Sequence, residues 1–206
     1  MELTLPYPAV CNIKFRFKVS ENCGNLKNER LFKNCNWSNY YTIRFPSSKL
    51  AYIIFPSSGA VNITGVDNFE LVEEALRNFN RQFNTQVKLS DVSIDNSTAA
   101  GQLPLSEGNV ILLQSVKRVL ENPSNWDVNE RVFVSLTPSC FPAAVIRRKF
   151  KEQKLPTLLL FGNGKYSIVG AKSKQELTNT YNWICANTRQ LMMTTEQGIP
   201  FACSVD

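Results

Sequence analysis

The sequence predicts an α+β fold assembled from two similar halves, and two observations carry that prediction. The stretch "YIIFPSSGAVNITGVDNFE" (Tyr52 to Glu70) is echoed in the second half by "LLLFGNGKYSIVGAKSKQE" (Leu158 to Glu176). Each has an apolar run ending in Phe, a Gly-containing turn, and a second run ending in Gly. Each then places an N-cap acceptor three residues before a Glu, Asp67 before Glu70 and Ser173 before Glu176. That spacing is a capping box and marks a helix start.

The elements follow in order. "YIIF" and "LLLF", and their partners after the turns, are β-prone, so each echo reads as a two-stranded hairpin closed by "SSGA" or "GNGK". The helices that follow are predicted over 67–83 and 173–191. In the first, Phe69, Val72, Leu76, Phe79 and Phe83 fall on one face. In the second, Leu177, Tyr181 and Ile184 make a narrower stripe. Each stripe needs a sheet to cover it. Upstream, "CNIKFRFKV" alternates with period two and "VKLSDVSI" (Val87 to Ile94) does so weakly. "NLKNERLFKN" and "GNVILLQSVKRVLEN" read as helical, while "NYYTIRF" and "AAVIRRKF" read as further strands. The predicted boundaries are 1–85 and 86–195, with a tail at 196–206. Such halves share a sheet, with both long helices on one face and the other face bare.

Composition narrows the function. With 206 residues, 43% of them apolar and 19% charged, the chain can bury a sizeable core. No apolar run reaches the ~20 residues of a membrane span. The opening "MELTLPYPAVC" lacks a basic n-region and carries two prolines, so it does not read as a signal peptide. There is no histidine, and the six cysteines form no Cys-x-x-Cys pair. Ser-His and Cys-His catalysis are excluded, and zinc and thiol redox sites are not expected. No enzyme activity and no cofactor are expected, and the cysteines read as small buried hydrophobes. A net charge of +6 and a pI near 9.0 favour a polyanionic partner. The charge concentrates in "VIRRKFKEQK" and "NIKFRFKV".

These residues resemble the TATA-box-binding protein family. "CFPAAVIRRKF" is similar to that family's Phe-Pro-small-aliphatic-aliphatic-x-Arg strand. "LLLFGNGKYSIVGAK" is similar to its Leu-x-Ile-Phe-x-Ser-Gly-Lys hairpin ending in Gly-Ala-Lys. "YIIFPSSGAVNITG" is the same hairpin with one extra residue, and "CNIKFRF" matches the opening Gln-Asn-Ile-Val strand. The resemblance implies a saddle whose curved antiparallel sheet sits concave-side down in a DNA minor groove, with two long helices on the convex face. Apolar wedges would unstack base steps there, a mode of binding for which this family is itself a standard example. By motif position the wedges are Phe141 and Phe161 in one half. Phe55 is a wedge of the other, with Trp37 as its partner and Tyr40 and Tyr41 as competitors. Asn12, Ile53, Asn62, Thr64, Asp91, Leu159, Ser167 and Val169 would line the groove face, and Arg147, Arg148, Lys165 and Lys172 would approach the phosphates. The implied partners are double-stranded, A·T-rich promoter DNA, general transcription factors and the polymerase machinery, with no membrane. The divergence points to a viral or protist version acting in the nucleus or at a site of viral transcription.

Several positions depart from the family. The second central asparagine is read as Asp91, two groove-face valines become Asn62 and Ser167, and the lysine after the first hairpin becomes Asp67. In the C-terminal stirrup, Thr137 and Ser139 replace the acids that contact the factor bridging to the polymerase. These changes support an alternative: an interaction module that keeps the fold and sequesters transcription factors with weak or no DNA binding.

Overall fold

Strand propensity and helical stripe are both realised in the computed structural model, which describes residues 5–20, 40–45 and 48–194. Trp37, the stretch "NLKNERLFKN" and the tail from 196 lie outside the described residues. The chain forms two compact units. One holds residues 10–98 with 172–174. The other holds 99–171 with the described parts of 1–9 and 175–206.

The first unit contains β1 (Ala9–Lys18, entering at Val10), β2 (Tyr41–Arg44), β3 (Ala51–Phe55), β4 (Ala60–Val66) and α1 (Leu71–Phe83). It also takes the opening of β5 (Ser93–Gln102), and its strand order is β2-β3-β4-β1-β5. The alternation predicted for "NIKFRFKV" puts Ile13, Phe15 and Phe17 inward against Val72, Leu76, Phe79 and Phe83 of α1. Burying several such side chains at about 1.5–3 kcal/mol each holds the helix to the sheet. The helix begins later than its capping signal. Asp67 does not cap it; Asn68 Oδ1 accepts the Glu70 amide at 3.0 Å instead, and the helical turns start at Leu71.

The second unit continues from the end of β5 through α2 (Leu113–Leu120), β6 (Glu130–Thr137), β7 (Phe141–Phe150), β8 (Gln153–Lys154), β9 (Thr157–Phe161) and β10 (Lys165–Ala171). Then follow α3 (Lys174–Ala186) and a short α4 (Thr188–Leu191). The order β5-β10-β9-β7-β6 repeats the hairpin arrangement of the first unit. The predicted helix over 173–191 is thus divided at Asn187, whose φ of −108° and ψ of 18° leave the helical region. Leu177 and Ile184 are buried as the stripe requires.

One predicted strand needs correction. Of Val87–Ile94 only Ser93 and Ile94 are strand: Leu89–Asp91 is a short 3₁₀ turn, and the strand runs Ser93–Gln102. The described cysteines also differ from expectation, since Cys11 and Cys140 are exposed and Cys185 is half-buried. β6 is a strand beyond those expected, with Val132 and Val134 alternating inward along it.

Candidate nucleic-acid interface

Period-two alternation divides every hairpin strand into a helix-side row and a free-side row. In β9, Leu158 and Leu160 are fully buried, while Leu159 and Phe161 are only half-covered. Leu159 stands between Val145 of β7 and Ser167 of β10. In the other unit, Ile53 stands between Thr42 and Asn62, and Asn62 is followed by Arg16 of β1. Thr64 and Val169 occupy equivalent free-side places on β4 and β10. Ile53, Leu159, Asn62, Ser167, Thr64 and Val169 are therefore brought onto the free faces, each in its own unit.

Each free face ends in an aromatic pair. Phe141 and Phe161 lie with ring centres 6.1 Å apart, and Phe141 keeps 37% of its surface exposed although neighbouring Ala143 keeps 2%. In the first unit Tyr40, not Tyr41, meets Phe55, with ring centres 5.5 Å apart. Tyr41 opposes Ile54 and is buried in the core, so parity alone sends Tyr40 to the free side.

Asn12 is held at one point of the free face. Its Oδ1 accepts the Gly65 amide at 2.7 Å and the Thr64 hydroxyl at 3.1 Å. A backbone N–H can only donate, so the carbonyl end must face Gly65, and the side-chain NH₂ is left pointing away. Gly65 has φ +89°, and a Cβ there would come within 1.9 Å of the Lys49 carbonyl oxygen, so only glycine permits this turn.

Asp91 is not the counterpart of Asn12. The Val19 amide donates to Gly59 O at 2.8 Å, and the Leu103 amide donates to Gly164 O at 2.9 Å. The interval that carries Val19 to Leu103 carries Asn12 to Asn96, on β5. Asp91 instead sits in the 3₁₀ turn before β5, where its carboxylate accepts the Lys88 amide at 3.3 Å.

The basic residues separate in the same way. Arg147 is exposed on the free face, opposite Phe133 and donating to Ser135 Oγ at 3.1 Å. Lys165 and Lys172 are exposed. Arg148 cannot approach a phosphate and its assignment is corrected. It shares the parity of Ala144 and Ile146, and its side chain is 4% exposed. Its guanidinium lies 4.2 Å from the Trp183 ring centre and 3.7 Å from Glu130. Burial lowers its pKa to about 10, with Glu130 opposing the shift.

Three free-side groups were missed. Arg44 is exposed and equivalent to Arg147, because Tyr41 opposes Ile54 as Ala144 opposes Leu160. Phe133 is 48% exposed. Asp95 accepts from Arg16 Nε at 2.9 Å, with Lys14 Nζ 3.7 Å away. Alternation counted along "NYYTIRF" and "ERVFVSLT" would have found the first two. Between the β6–β7 turn and α2 lies an apolar cavity of about 230 Å³, lined by Ile111, Leu113, Leu136, Pro138 and Phe141.

Comparison with known proteins matches this arrangement. Residues 125–191 fit the family model described as transcription factor TFIID, or TATA-binding protein, TBP. TATA-box-binding proteins of Picrophilus torridus and Thermoplasma acidophilum are each 29% identical over 140 residues, 65% of this chain. The chain spans 66% of the length of those relatives, just under two thirds. A solved structure of Methanococcus jannaschii TBP superposes with a TM-score of 0.61 at 21% identity, covering 90% of this chain and 99% of that one. That likeness shows the fold, and the fold class is the α+β class expected from the sequence. Proteins of this family are transcription factors and not enzymes. By hairpin, strand order and these matches, the chain is similar to the TATA-box-binding protein family, whose family model its residues 125–191 fit.

Proposed function

We propose that this protein is a TBP-like transcription initiation factor that binds the minor groove of promoter DNA and bends it by inserting aromatic side chains. The observation that carries the reading is the Phe141–Phe161 pair at the end of a free face, Phe141 exposed and Phe161 half-covered, matched by exposed Tyr40 with half-covered Phe55 in the other unit. A ring left partly exposed on a strand face costs apolar exposure in the free protein, and a base step is a surface that can cover it. Asn12 supports the same reading, since its NH₂ donors suit the purine N3 and pyrimidine O2 acceptors of A·T pairs. Arg147 and Arg44, with Lys165 and Lys172, supply phosphate contacts. General transcription factors and the polymerase machinery are the proposed protein partners. Exposed Thr137 and Ser139 offer them no carboxylate at the β6–β7 turn, so docking there would rest on the apolar cavity behind it.

The interaction-module reading is favoured by Asn62 and Ser167, equivalent polar positions at the middle of the two free faces. A duplex-binding titration across salt, with and without an A·T-rich core, separates the two. Promoter binding requires tighter association with the A·T-rich duplex. Sequestration alone predicts equal, weak binding to both.

A further inference from the structure

The β1 free side presents Lys14, Arg16 and Lys18, three cations on alternate residues, as a polyanion-binding strand should. Two of them are already engaged. Arg16 Nε is 2.9 Å from Asp95 Oδ1 and 3.3 Å from Ser93 Oγ, and Lys14 Nζ is 3.7 Å from Asp95 Oδ2. The cations remain open to solvent, with Arg16 64% and Lys14 40% exposed in their side chains, against 24% for Asp95. Exposed pairs of this kind add little to stability, because solvent screens them and two long side chains lose rotamer freedom. Their larger effect falls on a third charge. A phosphate approaching Lys14 or Arg16 meets a carboxylate already seated between them, so the charge it can neutralise is reduced.

We propose that Asp95 is an internal counter-ion that competes with nucleic-acid phosphate for Lys14 and Arg16, and so holds down the electrostatic part of duplex affinity. The inference rests on the DNA-binding reading above. It makes Asp95 a tuning residue: it shapes how strongly and how salt-sensitively the face binds, without being a wedge or a base reader.

The test is Asp95→Asn, which keeps the side-chain shape and removes the charge, compared with Glu73→Gln. Glu73 lies on the exposed side of α1, paired with Arg77 at 2.9 Å, and its loss changes net charge equally. Affinity for an A·T-rich duplex is measured across salt for both variants and the parent, with thermal unfolding as a check on folding. Each phosphate gained steepens the log–log salt slope by about 0.9, so Asp95→Asn should steepen it by about 0.9–1.8. At about 50 mM salt it should bind on the order of tenfold tighter, and converge on the parent near 1 M. Glu73→Gln should follow the parent. Should Asp95→Asn unfold, Asp95→Ser carries the same prediction. Unchanged slope and affinity in a folded variant would overturn the proposal. So would tighter binding with an unchanged slope, which would make the carboxylate a repellent of base-edge acceptors. So too would equal gains in both variants, which would reduce the effect to net charge. Absence of duplex binding by the parent, at any salt, would instead remove the DNA-binding reading on which the proposal stands.

Discussion

Arg148 stacks its guanidinium 4.2 Å from the centre of the Trp183 ring, while its neighbour Arg147 points to the opposite side of the same strand. Trp183 in turn stacks on Trp126 at 5.6 Å, so one basic side chain sits within the helix-side packing of β7 and α3. Adjacent arginines therefore do unlike work. Arg148→Ala should destabilise the fold by about 3 kcal/mol, since it removes a buried cation–π contact and strands Glu130. Arg147→Ala should leave stability within about 0.5 kcal/mol and flatten the salt slope of duplex binding by about 1. Chemical denaturation and salt titration on both variants check this. Equal behaviour of the two would contradict it.

The wedges separate from the core by the same logic. Phe79 is fully buried, stacked on Phe83 at 4.6 Å and edge-on to Phe17 at 5.0 Å. Phe79→Ala should cost about 3–5 kcal/mol. Phe141→Ala should cost about 1 kcal/mol or less, as an exposed surface change does, yet weaken duplex binding. Comparable stability losses in both would return Phe141 to the core.

Asn12 allows a finer test. Asn12→Ala leaves the Gly65 amide without its acceptor and should cost about 1–3 kcal/mol. Asn12→Asp keeps that acceptor, so the fold should hold. It also exchanges NH₂ donors for a carboxylate facing base acceptors, so duplex affinity should fall at least about tenfold. Asp retaining full affinity would show that the Asn12 amide does not meet the duplex.

Alkali should expose two buried phenols. Burial pushes Tyr52 and Tyr166 up to about 12, against an ordinary 10.0. Between those values the folded state holds protons that the unfolded state has released, so stability present below pH 10 falls as pH rises toward 12. Arg148, depressed to about 10, works with opposite sign in this range, one group against two. A net loss of about 1–2 kcal/mol between about pH 9 and about 11 should appear in denaturant unfolding. Tyr52→Phe with Tyr166→Phe should abolish it without loss at neutral pH, because neither buried hydroxyl has a hydrogen-bond partner among the described residues. An unaltered alkaline loss in that double variant would assign it elsewhere.

What could be read from the sequence follows from where the apolar side chains lie. The hairpins declared themselves because β3, β4, β9 and β10 carry their own apolar rows. β5 did not: its inward positions include Ser97 and Ala99, both fully buried, and Gly101, where a Cβ would come within 2.3 Å of the Tyr166 ring. Such a strand is set by its neighbours, and no local pattern marks it. Its neglect led to Asp91 being placed where Asn96 belongs. Arg148 failed for the opposite reason. Counting charge along "VIRRKF" concealed a parity that puts Ala144, Ile146 and Arg148 on one side. Tyr40 was visible as a competitor, and only strand register chose it over Tyr41.

Bending is the most direct measure of the central claim. End-to-end energy transfer across a short A·T-rich duplex, labelled at both ends, should report a shortened distance at saturating protein. Phe141→Ala with Phe161→Ala should restore much of the straight-duplex distance even when the duplex is fully bound, because the unstacked steps lose their inserted rings. An unbent duplex at saturation with the unaltered protein would contradict the account.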